Sequence, residues 1–254
     1  MSSKDKKNKE SEWFGYEQVD PKDKAGKVQD VFDSVADQYD IMNDVMSGGM
    51  HRLWKDALIR MISPRADKTL LDLAGGTGDV SFRYRKKAGD KSQITVCDIN
   101  ENMLNVGQDR AIDKGILNGM DWIVGDAQDL PFEDNSFDVC TIVFGLRNVP
   151  KIDDALAQIY RVLKPGGQFF CMEFSKVKTP ILEKIYDTYS FKILPKMGEI
   201  IAKDRESYQY LAESIRQFPP QEELAERMKQ VGFEHVKYRN LTGGIVAIHN
   251  GHKA

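Results

Sequence analysis

The chain has 254 residues, of which 41% are hydrophobic and 30% are charged, and its formal net charge is -3 at pH 7. This length suits one large α/β domain with a buried core, and the composition is ordinary for a globular protein in water. The slight excess of acidic residues gives no reason to expect a nucleic-acid-binding groove. No stretch reaches the roughly 18 to 20 consecutive apolar residues that a bilayer-spanning helix needs.

The N-terminal part is predicted to be a tail followed by a helical cap. The opening MSSKDKKNKE has charges of both signs and no apolar centre, so it fits neither a signal peptide nor a transit peptide, and residues 1–12 are predicted to be disordered. Apolar residues at helical spacing over 28–39 predict a helix with one face on a core. A second helical stretch is broken at Gly48 and Gly49, which predicts a hinge. We expect residues 13–64 to form this cap.

Strands and helices alternate from residue 69 onwards. Five short apolar runs are typical of buried strands: TLLDLA (69–74), ITVCDI (94–99), DWIVGDA (121–127), FDVCTIVFGL (137–146) and GQFFCMEFS (167–175). Helical patterns lie between them, near 79–88, 101–115 and 151–163, the last stopped by Lys164-Pro165-Gly166-Gly167. This alternation predicts a parallel sheet covered by helices on both faces.

The C-terminal part predicts an insertion and a closing hairpin. Residues 179–218 have a helical pattern without a convincing strand, so we expect a helical insertion over the substrate site. Another helix is predicted over 221–231. Two closing strands, EHVKYRNL and GIVAIHNGHK, meet at a Thr-Gly-Gly sequence that suits a hairpin turn. The sheet is therefore predicted to be mostly parallel with an antiparallel end, in a single domain over 13–254.

The sequence LLDLAGGTGD (70–79) places glycines and acidic residues directly after the first strand of the predicted sheet. In open parallel sheets, ligands bind beyond the carboxyl ends of the strands. Gly75, Gly76 and Gly78 allow close approach of the backbone to a ligand, and the next helix offers unpaired N–H groups to an anion. The loop is not a dinucleotide fingerprint, because Ser81 stands where G-x-G-x-x-G requires its third glycine.

The acidic residues around this loop indicate which cofactor it binds. Asp72 and Asp79 flank the loop, where they would repel a pyrophosphate and attract a cation. S-adenosylmethionine offers them a sulfonium and an ammonium, and it offers the N–H groups a carboxylate. Asp98 ends the second strand about 20 residues beyond the loop, the distance at which an acidic side chain binds a ribose diol. Asp126, after the third strand, either meets the adenine amine or is simply an exposed strand-end residue.

Cysteines and histidines show no metal-binding spacing. The three cysteines are far apart in strand-like runs and are predicted to be buried free thiols in a reducing compartment: Cys97, Cys140 and Cys171. The four histidines fall in no motif: His51, His235, His249 and His252. The sequence therefore predicts that any reaction of this protein needs no metal ion.

Six sequences, DLAGGTGD, CDINENML, LPFEDNSFD, FGLRNV, RVLKPGG and YLAESIRQFP, together resemble the ubiquinone/menaquinone biosynthesis C-methyltransferases, a branch of the class I methyltransferases. The resemblance runs from about Phe14 to Lys253, and FGLRN with YLAESIRQFP is its strongly specific part. It implies a class I methyltransferase fold, a Rossmann-like doubly wound α/β sheet, with S-adenosylmethionine as cofactor. The implied reaction is methyl transfer to a ring carbon of a polyprenyl benzoquinol, of demethylmenaquinol, or of both.

The resemblance also implies cofactor contacts, at Thr77 in the loop, at Asp98 and at the pair Asp126-Ala127. Tyr39, at the end of the first predicted helix, either covers the sulfonium with its aromatic face or belongs to the core. The family can have Ser before FGLRN, where this chain has Val143, so no hydroxyl is available there. The expected cofactor-binding set is Asp72, Gly76, Thr77, Gly78, Asp98, Ile99, Asp126, Ala127 and Tyr39.

FGLRN follows the fourth strand, where enzymes that methylate exocyclic base nitrogens commonly have N/D-P-P-Y/F/W, so base methylation is disfavoured. An aromatic carbon becomes nucleophilic when a neighbouring hydroxyl loses its proton. Our hypothesis is that Arg147, with Asn148, holds the quinol oxygen or an activating water; the alternative is that Arg147 is a surface residue capping the strand end. Arginine stays protonated, so it stabilises charge and is a poor base. The substrate must arrive reduced.

The insertion also suggests where the protein works. Apolar and aromatic residues share one helical face over 181–189, with lysines nearby, which favours either a membrane-surface helix or packing on the sheet edge. With the resemblance, this implies a cytoplasmic protein peripheral to the inner membrane, or alternatively the matrix side of the mitochondrial inner membrane. Expected partners are a polyprenylated quinol, the membrane surface, a second copy of the chain and other quinone-biosynthesis enzymes; nucleic acid is not expected.

Two other functions stay open at this point. One is a methyltransferase for a different phenolic or lipid substrate, against which FGLRN and the insertion argue. The other is a cofactor-binding scaffold subunit without catalysis, which intact Asp72, Asp98 and Arg147 disfavour.

Overall fold

The structure is a computed structural model that describes residues 12–14, 17–19, 26, 44, 47–178, 180, 186, 189 and 205–254, with only the backbone for 12–14, 17–19 and 205–207. The strands are β1 (Glu12–Phe14), β2 (Glu17–Val19), β3 (Thr69–Leu73), β4 (Gln93–Asp98), β5 (Met120–Val124), β6 (Phe137–Val143), β7 (Leu163–Phe174), β8 (Glu234–Leu241) and β9 (Val246–His252). The helices are α1 (Met50–Ile62), α2 (Asp79–Ala88), α3 (Glu101–Asp113), α4 (Ile152–Val162), α5 (Arg205–Gln217) and α6 (Gln221–Val231).

Strands β3 to β9 form a seven-stranded sheet in the order β5-β4-β3-β6-β7-β9-β8, while β1 and β2 pair separately. The five strands from β5 to β7 in this order are parallel, and β9 runs antiparallel to both β7 and β8. This arrangement confirms the predicted doubly wound sheet with an antiparallel C-terminal hairpin. The strand order reverses between β3 and β6, so a crevice for ligands is expected beyond their carboxyl ends.

Apolar side chains form one buried layer on each face of the sheet. Alternation along β3 assigns its residues to the two layers, because Leu70 packs on one side and Leu71 and Leu73 on the other. The first layer includes residues of α1 and α2, such as Leu58 and Tyr84, and the second layer includes residues of α4 and α6. Each helix therefore buries one face against the sheet and fixes the loops at its ends.

The element bounds agree with the sequence pattern in most places. Residues 79–88, 221–231 and 234–241 form the predicted elements without a shift. The helix α4 ends at Val162, just before the predicted terminator Lys164-Pro165-Gly166-Gly167, but β7 already begins at Leu163 and continues through these four residues. The reason is pairing with the chain's last residues, since the Gly166 N–H donates to the Lys253 carbonyl at 2.8 Å.

The cap and the insertion are described only in part. Gly48 and Gly49 have positive φ, and α1 begins directly after them, which confirms the predicted break. Helix α5 forms the end of the predicted insertion. The helix predicted over 28–39, including Tyr39, lies outside the described residues. Within the described part of the chain, the helices lack the combination of length and apolar character that crossing a bilayer requires.

Candidate active site

A cleft of about 1090 Å³, counting the open space at its mouth, lies at the carboxyl ends of β3, β4, β5 and β6. Loops from all four strands line it, together with residues from the starts of the neighbouring helices. Seven of the nine residues expected to bind the cofactor line this cleft: Asp72, Gly76, Thr77, Asp98, Ile99, Asp126 and Ala127. Of the other two, Gly78 caps the start of α2 beside the cleft, and Tyr39 lies outside the described residues. The residues that the sequence separates by more than fifty positions therefore meet in one place.

The glycine loop after β3 requires its glycines for both conformation and space. Gly76 and Gly78 have φ of 52° and 78°, in the left-handed region that favours glycine. A Cβ on Gly78 would lie 2.7 Å from the Trp122 ring, and one on Gly75 would lie 2.7 Å from a Val96 methyl group. The backbone of this loop is therefore packed tightly on the sheet side and bare on the cleft side.

Asp98 ties the ends of β3 and β4 together. Its Oδ2 accepts a hydrogen bond from the Gly76 N–H at 2.8 Å, and its Oδ1 accepts one from the Asn100 N–H at 2.9 Å. Burial raises the pKa of Asp98, and the backbone N–H donors oppose that shift. The carboxylate is thus fixed in orientation while its remaining lone pairs are available to a ligand hydroxyl in the cleft.

Asp72 is a buried carboxylate in the wall of the cleft, with 1% of its surface exposed. It accepts hydrogen bonds from Ser81 Oγ at 2.7 Å and from Thr141 Oγ1 at 2.8 Å. Burial raises the pKa of Asp72 to about 6, against the effect of these hydroxyls and of Lys55. Among the described residues it forms no direct ion pair, so a cationic group in the cleft would stabilise its charge.

Asp79, the other acidic residue of the loop, already has cationic partners. Lys55 Nζ lies 2.7 Å from Asp79 Oδ2, and Arg83 Nε lies 2.9 Å from Oδ1. Although burial raises the pKa of Asp79, Lys55 and Arg83 outweigh it and hold the pKa below its ordinary value. The expectation that both aspartates attract the cofactor's cation stays a prediction for Asp72 and is not supported for Asp79.

Sequence reasoning missed Lys55, which lines the cleft and is buried. A signal was present, because Lys55 lies on the same helical stripe as Leu58, Ile59 and Ile62, which form the buried face of α1. A lysine on an apolar stripe indicates a buried partner. That partner, Asp79, is 24 positions away, which the local pattern does not reveal.

Two other residues expected to contact the cofactor, Thr77 and Asp126, form hydrogen bonds with other residues of the protein. Thr77 is buried, and its hydroxyl accepts a hydrogen bond from Arg110 Nη1 at 3.0 Å. Asp126 accepts hydrogen bonds from the Gln128 N–H at 2.9 Å and from its side-chain amide. Val143 is buried in the cleft wall, where it presents only methyl groups.

FGLRN forms a tight turn between β6 and α4. Phe144 has a φ of 57°, and residues Leu146–Asn148 form a 3-10 turn. A Cβ on Gly145 would lie 2.5 Å from the Cβ of Ala74, which itself has a φ of 51°. Ala74 and Phe144, two non-glycine residues in the left-handed region at adjacent strand ends, both line the cleft, which favours it as the candidate site.

Asn148 and Arg147 face different surroundings. Asn148 lines the cleft, and its Oδ1 accepts a hydrogen bond from the Tyr210 hydroxyl at 3.0 Å. The Arg147 side chain is 3% exposed and is not among the groups that line the cleft; its Nη1 lies 3.1 Å from Oε1 of Glu173 and also donates to the Phe144 carbonyl. Arg147 is therefore buried and is not a surface residue. Its contact with a quinol oxygen stays a prediction.

Glu173 and Tyr210 are further residues of this region to which sequence reasoning gave no role, although Tyr210 is the first residue of the motif YLAESIRQFP. Glu173 is an acidic residue within the apolar run FFCMEF, which is a signal for a buried ion pair. Burial raises the pKa of Glu173, and Arg147 opposes that shift. Tyr210 and Arg147 also border a second cavity of about 1100 Å³, which shares Val149 and Pro150 with the cleft.

The cysteines are buried and free, as predicted, and burial raises the pKa of each thiol. Such thiols behave as small apolar side chains. In the part of the chain that the structure describes, histidine, cysteine and acidic residues do not form a group able to hold a metal ion.

Three kinds of comparison relate this chain to known proteins: sequence relatives, solved structures and a family model. The chain is 53% identical over 242 residues to the ubiquinone/menaquinone biosynthesis C-methyltransferase UbiE of Brucella abortus (strain S19), across 94% of this chain and 90% of that protein. UbiE of Brucella anthropi is also 53% identical over 242 residues, across 94% of this chain and 92% of that protein.

Solved structures show the same fold at low sequence identity. A SAM-dependent methyltransferase from Thermotoga maritima, described as a possible histamine N-methyltransferase, has a TM-score of 0.63 at 19% identity and covers 88% of this chain and 98% of its own. A SAM-dependent methyltransferase from Aquifex aeolicus has a TM-score of 0.57 at 15% identity and covers 79% of this chain and 89% of its own.

The ubiE/COQ5 methyltransferase family matches residues 20–253. The chain therefore belongs to the ubiE/COQ5 methyltransferase family and has the class I methyltransferase fold.

Proposed function

We propose that this protein transfers a methyl group from S-adenosylmethionine to a ring carbon of a reduced polyprenyl benzoquinol, of demethylmenaquinol, or of both. The observation that carries the proposal is 53% identity to UbiE across 94% of the chain. The name of that relative includes both quinone classes, and both substrates present a reduced ring with a long tail. The polar groups of the cleft are consistent with this proposal.

The cofactor proposal rests on the charges in the cleft. Asp72 is a buried carboxylate without a direct cationic partner among the described residues, so it suits the positively charged end of S-adenosylmethionine. Asp98, held by two backbone N–H groups, suits the ribose diol, and Asp126 suits the adenine amine. Ile99 and Ala127 supply apolar contacts beside them. When bound, this cofactor supplies an electrophilic methyl group on a cationic sulfur.

The same charges argue against a phosphorylated dinucleotide. Asp72, Asp98 and Asp126 all line the cleft, and a pyrophosphate among them would be repelled. Lys55, the lysine in the cleft wall, is already paired with Asp79. The cleft therefore favours a ligand with a cationic end and without phosphate.

The turn that follows β6 supplies the groups for activating the quinol. A quinol ring carbon attacks well only when a neighbouring oxygen carries negative charge, which a fixed hydrogen-bond donor stabilises. We assign that donor to the Asn148 amide, which lines the cleft. Arg147, outside the cleft, holds the turn that carries Asn148 in place through its buried ion pair with Glu173. Orientation of the ring against the cofactor supplies much of the remaining rate enhancement. The oxidised quinone is electron-poor and should not react.

The proposal is tested by mass spectrometry of quinones from cells that lack this protein. We expect a quinone precursor lacking one methyl group to accumulate, and we expect the wild-type gene to restore the methylated product. Asp98→Ala, expressed at the same level, should not restore it. An unchanged quinone profile in the deletion strain would refute the proposed reaction, and the accumulated species would identify the substrate ring.

We further propose that the protein works at the surface of the inner membrane, where a polyprenyl tail resides. The support is the apolar helical face over 181–189 with its neighbouring lysines, most of which lies outside the described residues. Co-sedimentation with anionic vesicles should be lost in Ile185→Asp and retained in Ile112→Asp, a change at an exposed apolar residue on α3. Equal co-sedimentation of both variants with wild type would contradict this location.

A further inference from the structure

We infer that Tyr210 is a positioning residue for methyl transfer, because its hydroxyl fixes the Asn148 side chain with the amide N–H₂ group toward the cleft. The inference rests on the proposed quinol methylation. It adds that the helix α5 contributes a residue, Tyr210, to the arrangement of the active site. Tyr210 does not line the cofactor cleft, and we assign its effect on the reaction to its hydrogen bond with Asn148, which does.

The hydrogen bond between these residues determines which end of the amide faces the ligand. The Tyr210 hydroxyl donates to Asn148 Oδ1 at 3.0 Å, and Tyr210 is only 6% exposed. Within the described residues, Asn148 Nδ2 has no hydrogen-bond partner. An amide is planar, with its oxygen and nitrogen on opposite sides, so an oxygen bonded to Tyr210 leaves the nitrogen for a group in the cleft.

The reversed amide would present an acceptor to the quinol oxygen and would repel its developing negative charge. In the structure the Tyr210 hydroxyl donates to Asn148 Oδ1, and the reversed amide would lose this hydrogen bond to its oxygen. Burial raises the pKa of Tyr210 to about 12, so its hydroxyl remains a donor over the working pH range. The observed hydrogen bond therefore holds the amide with its nitrogen available to the cleft.

A buried ion pair holds the backbone beneath Asn148. The Arg147 guanidinium lies 3.1 Å from Glu173 Oε1, and the Phe174 N–H donates to the same carboxylate at 2.8 Å. This pair attaches the 3-10 turn to β7, while Tyr210 reaches it from α5. The amide of Asn148 is consequently restrained from two elements that are distant in the sequence.

The first test is a double-mutant cycle in the full-length protein, with S-adenosylmethionine and a short-chain quinol. Tyr210→Phe should lower kcat about 10-fold, as expected for a lost hydrogen bond, with little change in cofactor affinity. In the Asn148→Ala background, Tyr210→Phe should have no further effect on kcat. Tyr208→Phe, which removes a buried hydroxyl from the same helix, should keep kcat within about twofold of wild type.

The second test reads the oxyanion environment without turnover. A nitrophenol analogue of the quinol ring, bound together with S-adenosylhomocysteine, reports its own ionisation by absorbance. Its pKa should be lowered in wild type and in Tyr208→Phe, and should rise toward the free value in Tyr210→Phe and Asn148→Ala. A merely structural role of Tyr210 would lower thermal stability without moving this pKa.

The outcomes separate the inference from the function on which it rests. The inference alone would be overturned if the wild-type protein methylates quinols but Tyr210→Phe lowers kcat equally in the wild-type and Asn148→Ala backgrounds. The same holds if Tyr210→Phe leaves the pKa of the bound nitrophenol analogue unchanged. A wild-type protein that methylates none of the quinols would overturn the proposed function and the inference with it.

Discussion

Ser81 Oγ donates a hydrogen bond to Asp72 Oδ2 at 2.7 Å, from the first turn of α2 to the strand before the glycine loop. A dinucleotide-binding loop would have glycine at this serine, and glycine could not make the bond. Together with Thr141, Ser81 stabilises the ionised form of a carboxylate that burial makes weakly acidic. Ser81 therefore accounts both for the departure from the dinucleotide pattern and, through its hydrogen bond, for part of the stabilisation of the Asp72 charge in the cleft.

We expect Asp72→Asn to separate cofactor binding from folding stability. The folded-state pKa of Asp72 is raised to about 6, so its stabilising contribution is complete below its ordinary pKa of 3.8 and is lost as the pH rises through 6. The uncharged variant should thus be more resistant to urea than wild type at pH 8, and the difference should shrink at pH 5.

The same variant should bind S-adenosylmethionine at least about 10-fold more weakly in calorimetry, because it lacks the charge that meets the cation. Asp121→Asn, an exposed change on β5, serves as the control and should match wild type in both measurements. Wild-type affinity in Asp72→Asn would remove Asp72 from the cofactor site.

Gly145→Ala should disturb the crevice between β3 and β6, and a second change should restore it. The new Cβ would lie 2.5 Å from the Cβ of Ala74, so we expect a loss of about 1–3 kcal/mol in the free energy of unfolding. Ala74→Gly removes the opposing atom and suits the left-handed backbone at that residue.

The double variant Ala74→Gly/Gly145→Ala should therefore recover most of the lost stability and cofactor affinity, measured by urea unfolding and calorimetry. Gly26→Ala, where nothing lies within 4 Å of the added atom, is the control. A double variant as impaired as Gly145→Ala would show that the contact with Ala74 is not the cause.

Much of the fold and the loop of the site could be predicted from the sequence because their signals are local. The strands were identified from apolar runs that alternate with helical patterns. The dinucleotide-binding loop was excluded from the glycines and Ser81, which lie within ten residues of each other. Lys55, Glu173 and Tyr210 could not be placed in this way, since each forms its hydrogen bond with a side chain 24 to 62 positions away. The direction of the Arg147 side chain likewise depends on Glu173, and the motif alone suggested a contact with the ligand.

Asp138 stabilises the opposite end of the sheet, away from the cleft. Its carboxylate accepts hydrogen bonds from the Thr69 N–H at 3.0 Å and from Lys164 Nζ at 2.7 Å, with Lys68 3.0 Å away. Burial acts to raise the pKa of Asp138, but these donors outweigh it and hold the pKa well below its ordinary value of 3.8. A lowered folded-state pKa contributes stability above that ordinary value and loses it as the pH falls below it.

Asp138→Asn should therefore lower the free energy of unfolding by ~2 kcal/mol at pH 7. The deficit should shrink below about pH 4, where the wild-type contribution is also lost. Urea unfolding across this pH range measures the effect, with cofactor affinity as an internal control that should not change. A deficit that is equal at pH 7 and pH 3 would contradict the role of the charge.

The central claim, methylation of a reduced quinone ring at carbon, is tested most directly with purified protein and S-adenosylmethionine labelled with ¹³C in its methyl group. The acceptor is a short-chain demethylated quinol, kept reduced in one reaction and oxidised in the other, and NMR of the product locates the label. We predict a ring-carbon methyl signal from the reduced acceptor and none from the oxidised one. Label on an oxygen atom, or equal labelling of both acceptors, would contradict the mechanism.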